Sequence, residues 1–212
     1  MSILKLIIIA LVAFFAYNYF SPSEETFDGV VTLPMNTKIL AFGDSLTYGY
    51  RVDSSKNYPS QLSDLLQVEV INAGVNGELS RNGLARLPSV LAKYNPDILL
   101  LCEGGNDIIQ RKNFKKTKEN IAKMIELAKA KKIQVILIGV PDVEFLTLST
   151  ASFYDELATQ YNIPIDDTSL QEILNDDTLK IDKVHPNAKG YEVLSNNLAQ
   201  IISDSYIPVY KP

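Results

Sequence analysis

A single histidine and a single cysteine occur among the 212 residues. With one cysteine, Cys102, an internal disulfide framework is impossible. Its distance from the N-terminus also removes the residue to which bacterial lipids are usually attached. Because His185 is the only imidazole, metal sites built from several histidines are excluded, and any Ser–His chemistry has one possible base. Excess positive charge is missing too: 20 Lys and Arg face 25 Asp and Glu, a net charge of −5. That balance argues against a nucleic-acid partner.

An apolar run does occur at the N-terminus. Met1–Phe20 opens with Lys5, continues without interruption from Leu6 to Tyr17, and is followed by Glu24, Glu25 and Asp28. A basic start and an acidic exit orient the N-terminus to the cytoplasm and the remainder outside. The run is short for a span of about 20 residues and suits a signal peptide core. Tyr17, Asn18, Tyr19 and Phe20 are too bulky for a small-x-small cleavage site, which favours an uncleaved inner-membrane anchor for residues 1–20. A cleaved signal and an amphipathic start remain alternatives. An exported domain facing the periplasm or cell exterior is expected, joined by a linker over 21–37, where Pro22, Gly29 and Pro34 interrupt any period. The domain itself is expected over 38–205, with a tail at 206–212.

Apolar runs then alternate with helical patterns. Strands are expected at Lys38–Phe42, Val68–Asn72, Asp97–Cys102, Gln134–Val140 and Ile163–Asp166. Helices are expected at Tyr58–Leu66, Leu84–Tyr94, along Ile121, Met124, Ile125 and Ala128, at Ser152–Tyr161 and at Asn187–Ile202. This alternation predicts right-handed βαβ units and a five-stranded parallel sheet covered on both faces. Active sites of such sheets form beyond the carboxyl ends of the strands. Ser45, Gly74–Gly77 and Gly104–Asp107 all fall just after expected strands.

A serine needs a base, and the base needs an orienting group. Asp182, three residues before His185, can hold the imidazole from within one turn. Pro186 suits the first position of the last helix, which would put His185 at that helix's boundary. Acyl transfer develops charge on one oxygen, and donors set around it beforehand are a large rate factor. Ser45 N–H, Gly77 N–H and the Asn106 amide are candidates. Other readings of these residues exist: Asp-Ser as ordinary turn chemistry, Gly104–Asp107 as a plain βα turn, or Asp44, Asp107, Asp182 and His185 as metal ligands. Cys102, within an apolar strand, reads as a small buried hydrophobe rather than a nucleophile.

Gly-Asp-Ser-Leu-Thr-Tyr-Gly-Tyr from Gly43, Gly-Leu-Ala-Arg-Leu-Pro from Gly83, Gly-Gly-Asn-Asp from Gly104 and His-Pro-Asn-Ala-Lys-Gly-Tyr from His185 resemble the GDSL or SGNH hydrolases. The four marker residues of that family match Ser45, Gly77, Asn106 and His185 in chain order. The likeness is to the bacterial thioesterase, lysophospholipase and arylesterase branch, and spans roughly Lys38 to Ile202. It implies a flavodoxin-like three-layer α/β/α sandwich, no metal or other cofactor, a Ser45–His185–Asp182 triad and an acyl-enzyme on Ser45. Glu78 is a departure, since this branch commonly carries aspartate there.

Two further features bear on substrate. Val143, Phe145 and Leu146 follow the fourth strand and either cap the core or form an acyl-chain surface, with Phe145 and Leu146 as candidate substrate contacts. Arg111–Lys132 is rich in lysine, either as a solvated helix face or as a contact for anionic lipid. The expected partner is a small-molecule or lipid ester, with deacetylation of envelope polysaccharide as the other enzymatic reading and an anchored binding protein with a decayed site as the non-enzymatic one.

Overall fold

The computed structural model describes residues 33–142 and 149–206. Five strands form one parallel sheet: β1 (Lys38–Gly43), β2 (Glu69–Gly74), β3 (Ile98–Cys102), β4 (Gln134–Ile138) and β7 (Ile165–Asp166). Their order is β2-β1-β3-β4-β7. A two-stranded antiparallel hairpin, β5 (Pro141–Asp142) with β6 (Ser149–Thr150), stands beside it. Every residue of β3 is buried, as a central strand covered on both faces requires. Edge strand β2 is only partly covered.

Eight helices are described: α1 (Ser45–Tyr48), α2 (Tyr58–Leu66), α3 (Ser80–Tyr94), α4 (Gly105–Ile109), α5 (Phe114–Ala130), α6 (Phe153–Tyr161), α7 (Ser169–Asn175) and α8 (Ala188–Ser205). Helix α2 packs on α8, while α3 packs on α5 and α5 on α6, which gives the two outer layers. The three-layer α/β/α sandwich with a five-stranded parallel sheet is therefore present. Leu33 and Thr37, inside the stretch read as a linker, are buried, and Leu33 joins the core. Among the described residues no helix is long and apolar enough to cross a membrane; the run from Leu6 to Tyr17 lies outside them.

Several strand ends shift by one or two residues from the sequence expectations, and three larger differences have a physical cause. Helix α3 begins at Ser80, four residues before the apolar period becomes visible. Asp107 supplies the missing cap from helix α4: its carboxylate accepts the Ser80 N–H (2.8 Å) and the Ser80 hydroxyl (2.8 Å). Pro186 is not the first residue of the last helix. It bridges to Lys180, and Asn187 caps α8 by accepting from Lys189 and Gly190 N–H. Helix α7 had no sequence signal; buried Asp166 at the end of β7 starts it by accepting the Ser169 N–H (2.9 Å) and hydroxyl (2.6 Å).

Leu100 is fully buried at the centre of β3, paired with Ala41 on one side and Ile136 on the other. Leu65 on α2 is 40% exposed. Leu100→Ala is expected to destabilise by about 3 kcal/mol and lower the thermal midpoint by roughly 6–12 °C. Leu65→Ala is expected to cost less than about 1 kcal/mol. Equal shifts in calorimetry would contradict this placement of the core.

Candidate active site

Strand register sets the site. Gly43 pairs with Gly74 of β2 and with Cys102 of β3, so three loops leave the sheet at one level. Asp44 and Ser45 follow the first strand, Gly77 the second and Asn106 the third. The Asp44 carboxylate accepts the Leu46 N–H (2.9 Å), which starts α1 immediately after the sheet and places Ser45 at the rim. A loop between α7 and α8 brings the fourth segment across the same rim.

Ser45 Oγ lies 3.0 Å from His185 Nε2. His185 Nδ1 lies 2.9 Å and 3.0 Å from the two Asp182 carboxylate oxygens. Asp182 Oδ1 also accepts the backbone N–H of Val184 and of His185, both at 3.0 Å, so the aspartate and imidazole are locked within one turn. Burial opposes ionisation of Asp182, but those bonds from Val184 N–H, the His185 ring and His185 N–H outweigh it and hold the carboxyl below its usual range. A carboxylate on Nδ1 selects the tautomer with Nε2 free to accept a proton from Ser45. The Tyr50 ring packs against the imidazole, centroids 4.6 Å apart, and limits its rotation. Tyr50 was visible in the sequence only as part of a longer motif.

Gly77 has φ +73°, a left-handed conformation that a side chain would strain, and nothing stands within 4 Å of where its Cβ would be. Among the described residues no acceptor takes the N–H of Ser45 or Gly77. The Asn106 amide differs from a simple free donor. Its Nδ2 donates to Asp44 Oδ2 (3.1 Å) and to the Glu78 carbonyl (3.0 Å), so both hydrogens are engaged. A substrate oxygen must therefore share one of them, and Asp44 and Glu78 orient the amide beforehand. The sequence had no signal for this, because the three residues follow three different strands.

Asp44 is buried, and burial pushes its carboxyl up to about 7, against the opposing bonds from Leu46 and Asn106. Cys102 is buried as well, and burial raises its thiol far above the usual range, which makes it a poor nucleophile. Asp107 is spent on capping α3 and accepting from Thr117 Oγ1, away from His185. The cleft beside Ser45 and His185 is walled by Leu46, Ile109, Val140, Pro141, Leu174 and Val184. Ile109 is 49% exposed at its mouth. Val143, Phe145 and Leu146 lie outside the described residues. On α5, Lys118 pairs with Glu156.

Asp44 couples folding stability to pH. Its folded pKa, about 7, exceeds the unfolded value near 3.8, so the native state binds more protons between them. The stability this proton confers is complete below about pH 4 and lost as pH rises through about 7. Asp44→Asn is expected to flatten that decline in thermal midpoint between pH 4 and 7.5. An unchanged slope would show that Asp44 does not titrate there.

Residues 41–193 match the GDSL-like Lipase/Acylhydrolase family. The thioesterase 1/protease 1/lysophospholipase L1 of Escherichia coli is 29% identical over 76% of this chain and 81% of that protein. An arylesterase of Vibrio mimicus is 30% identical over 91% of this chain and 96% of its own length. Among solved structures, the SGNH-hydrolase family esterase AlinE4 is 28% identical and superposes with a TM-score of 0.64, over 82% of this chain and 98% of that one.

Proposed function

The chain belongs to the GDSL-like lipase and acylhydrolase family, and from that premise we propose that it is a serine esterase cleaving ester or thioester bonds of acyl substrates. The observation that carries this reading is the unbroken hydrogen-bonded series Ser45–His185–Asp182. Ser45 Oγ gives its proton to His185 Nε2 and attacks the acyl carbonyl carbon, while Asp182 stabilises the imidazolium. The oxygen that becomes negative is met by Ser45 N–H, Gly77 N–H and the Asn106 amide. His185 then protonates the departing alcohol or thiol, leaving an acyl ester on Ser45. Water, deprotonated by His185, attacks that ester, and the acid leaves as Ser45 regains its proton.

The wall of Leu46, Ile109, Val140, Pro141, Leu174 and Val184 favours an acyl chain over an acetyl group, since apolar pockets bind apolar ligands. The names of the relatives, thioesterase and lysophospholipase in one case and arylesterase in the other, agree with this class. Deacetylation of envelope polysaccharide would require polar groups for sugar hydroxyls, and among the described residues the polar ones lining the cleft are Asp44, Ser45, Asn106 and His185, which the triad and the oxyanion pocket already use. We place residues 1–20 as an anchor or export segment, with the hydrolase domain over 38–205 outside the cytoplasmic membrane. Its charge order, Lys5 before the apolar run and Glu24, Glu25 and Asp28 after it, supports that orientation.

With p-nitrophenyl esters of graded length, kcat/KM is expected to rise from acetyl to longer chains. Ser45→Ala is expected to lower kcat about a thousandfold or more. A profile highest on acetyl would favour the deacetylase, and full activity in Ser45→Ala would refute the mechanism.

A further inference from the structure

Arg86 is not among the residues lining the cleft and belongs to no triad, yet its guanidinium bonds to two of the three stretches that carry an oxyanion donor and reaches the third through Glu78. Its Nε lies 2.8 Å from both carboxylate oxygens of Glu78, and its Nη2 lies 2.5 Å from Glu78 Oε2. The same Nη2 donates to the Ala73 carbonyl (2.8 Å) and the Gly43 carbonyl (3.3 Å). The plane lies 3.8 Å over the Phe42 ring. Gly43 immediately precedes Asp44 and Ser45. Ala73 stands at the end of β2 before the Gly77 loop, and Glu78 follows Gly77. The Glu78 carbonyl in turn accepts from Asn106. One cation thus bonds directly to the loops of Ser45 and Gly77, and to that of Asn106 through one further residue.

The surroundings are built for this contact. Glu78 is buried, with 5% of its side chain exposed, so its carboxylate depends on Arg86. Gly83, one helical turn before Arg86, leaves room for the buried Glu103 side chain: a Cβ there would stand 2.5 Å from Glu103 Oε1. Glu103 is fully buried, receives no hydrogen bond from a described donor, and sits within hydrogen-bonding reach of the Glu78 carboxylate. Burial, then the charges of Asp44 and Glu78, push its carboxyl far above the ordinary range, so it is carried neutral and leaves the Arg86–Glu78 pair balanced. The Gly-Leu-Ala-Arg segment from Gly83 is thereby accounted for. Replacing a buried ion pair by apolar groups is often neutral for stability, which points to geometry as what this one contributes. Arginine suits the task because Nε and Nη2 of its planar fork meet the carboxylate side by side while Nη2 also reaches two carbonyls; an ammonium is a point charge without that fork.

We propose that Arg86 is a positioning residue for the oxyanion pocket, holding Gly77 N–H and the Asn106 amide in place through Glu78. The inference rests on the ester-hydrolase reading of the same site. It is tested by a double-mutant cycle on the full chain, with Arg86→Lys, Asn106→Ala and their combination assayed on one p-nitrophenyl ester. Asn106→Ala alone is expected to lower kcat about a hundredfold. Arg86→Lys is expected to lower kcat about tenfold at a KM within about twofold, and to lower it much less when Asn106 is already alanine. A merely structural role would give the same loss in both backgrounds. Unchanged kcat in Arg86→Lys, or fully additive losses, would overturn the inference while leaving the esterase reading intact. A wild-type protein inert to esters would remove both. If Arg86→Lys does not fold, Glu78→Gln, which keeps the shape and one acceptor oxygen, passes through the same cycle and is judged by the same two outcomes.

Discussion

The register of β1 between its two neighbours is the constraint on which the rest depends. Gly43 is opposite Gly74 and Cys102, so the loops after β1, β2 and β3 begin at one height above the sheet. From that level two residues reach Ser45, three reach Gly77 and four reach Asn106. Slipping one strand by a residue would reverse its side chains and separate the donors. The continuous apolar burial of β3 penalises such a slip on both faces. Catalytic geometry here is thus a by-product of core packing, refined by a few polar contacts at the rim.

Those contacts are electrostatically demanding. Asp44, Glu78 and Glu103 are all buried near one another, with Arg86 as the cation bonded among them. The cluster is tolerable because charge is divided unequally: Glu78 takes the guanidinium, burial favours the neutral form of Glu103, and Asp44 is pushed up to about 7. Asp182, more exposed and supplied with three donors, keeps its charge for His185. The same residue type thus serves opposite ends of the site, separated by environment.

Much of this was legible in the sequence, for local reasons. Ile98–Leu101 and Val135–Ile138 read as buried strands because no polar residue interrupts them, and their alternation with helices implied a parallel sheet. Helix Tyr58–Leu66 was bounded exactly, since Asn57 caps it and a Pro lies in its first turn. Ser45, Asp182 and His185 could be named because one histidine leaves little choice, and the structure brings them together. What escaped depended on distant partners. Ser80 starts a helix only because Asp107 reaches it from helix α4, and Pro186 is displaced from helix α8 by the cap at Asn187. The Arg86 contacts join the ends of β1 and β2 to the loop that follows β2, so no local pattern records them.

Activation of Ser45 by His185 is the step on which the proposed chemistry turns. The most direct measurement is the intact mass of the protein after exposure to a fluorophosphonate, followed by peptide mapping. One phosphonyl group per chain is expected, on Ser45, absent in Ser45→Ala and formed about a thousandfold more slowly in His185→Ala. Modification at another residue, or equally fast labelling without His185, would contradict it.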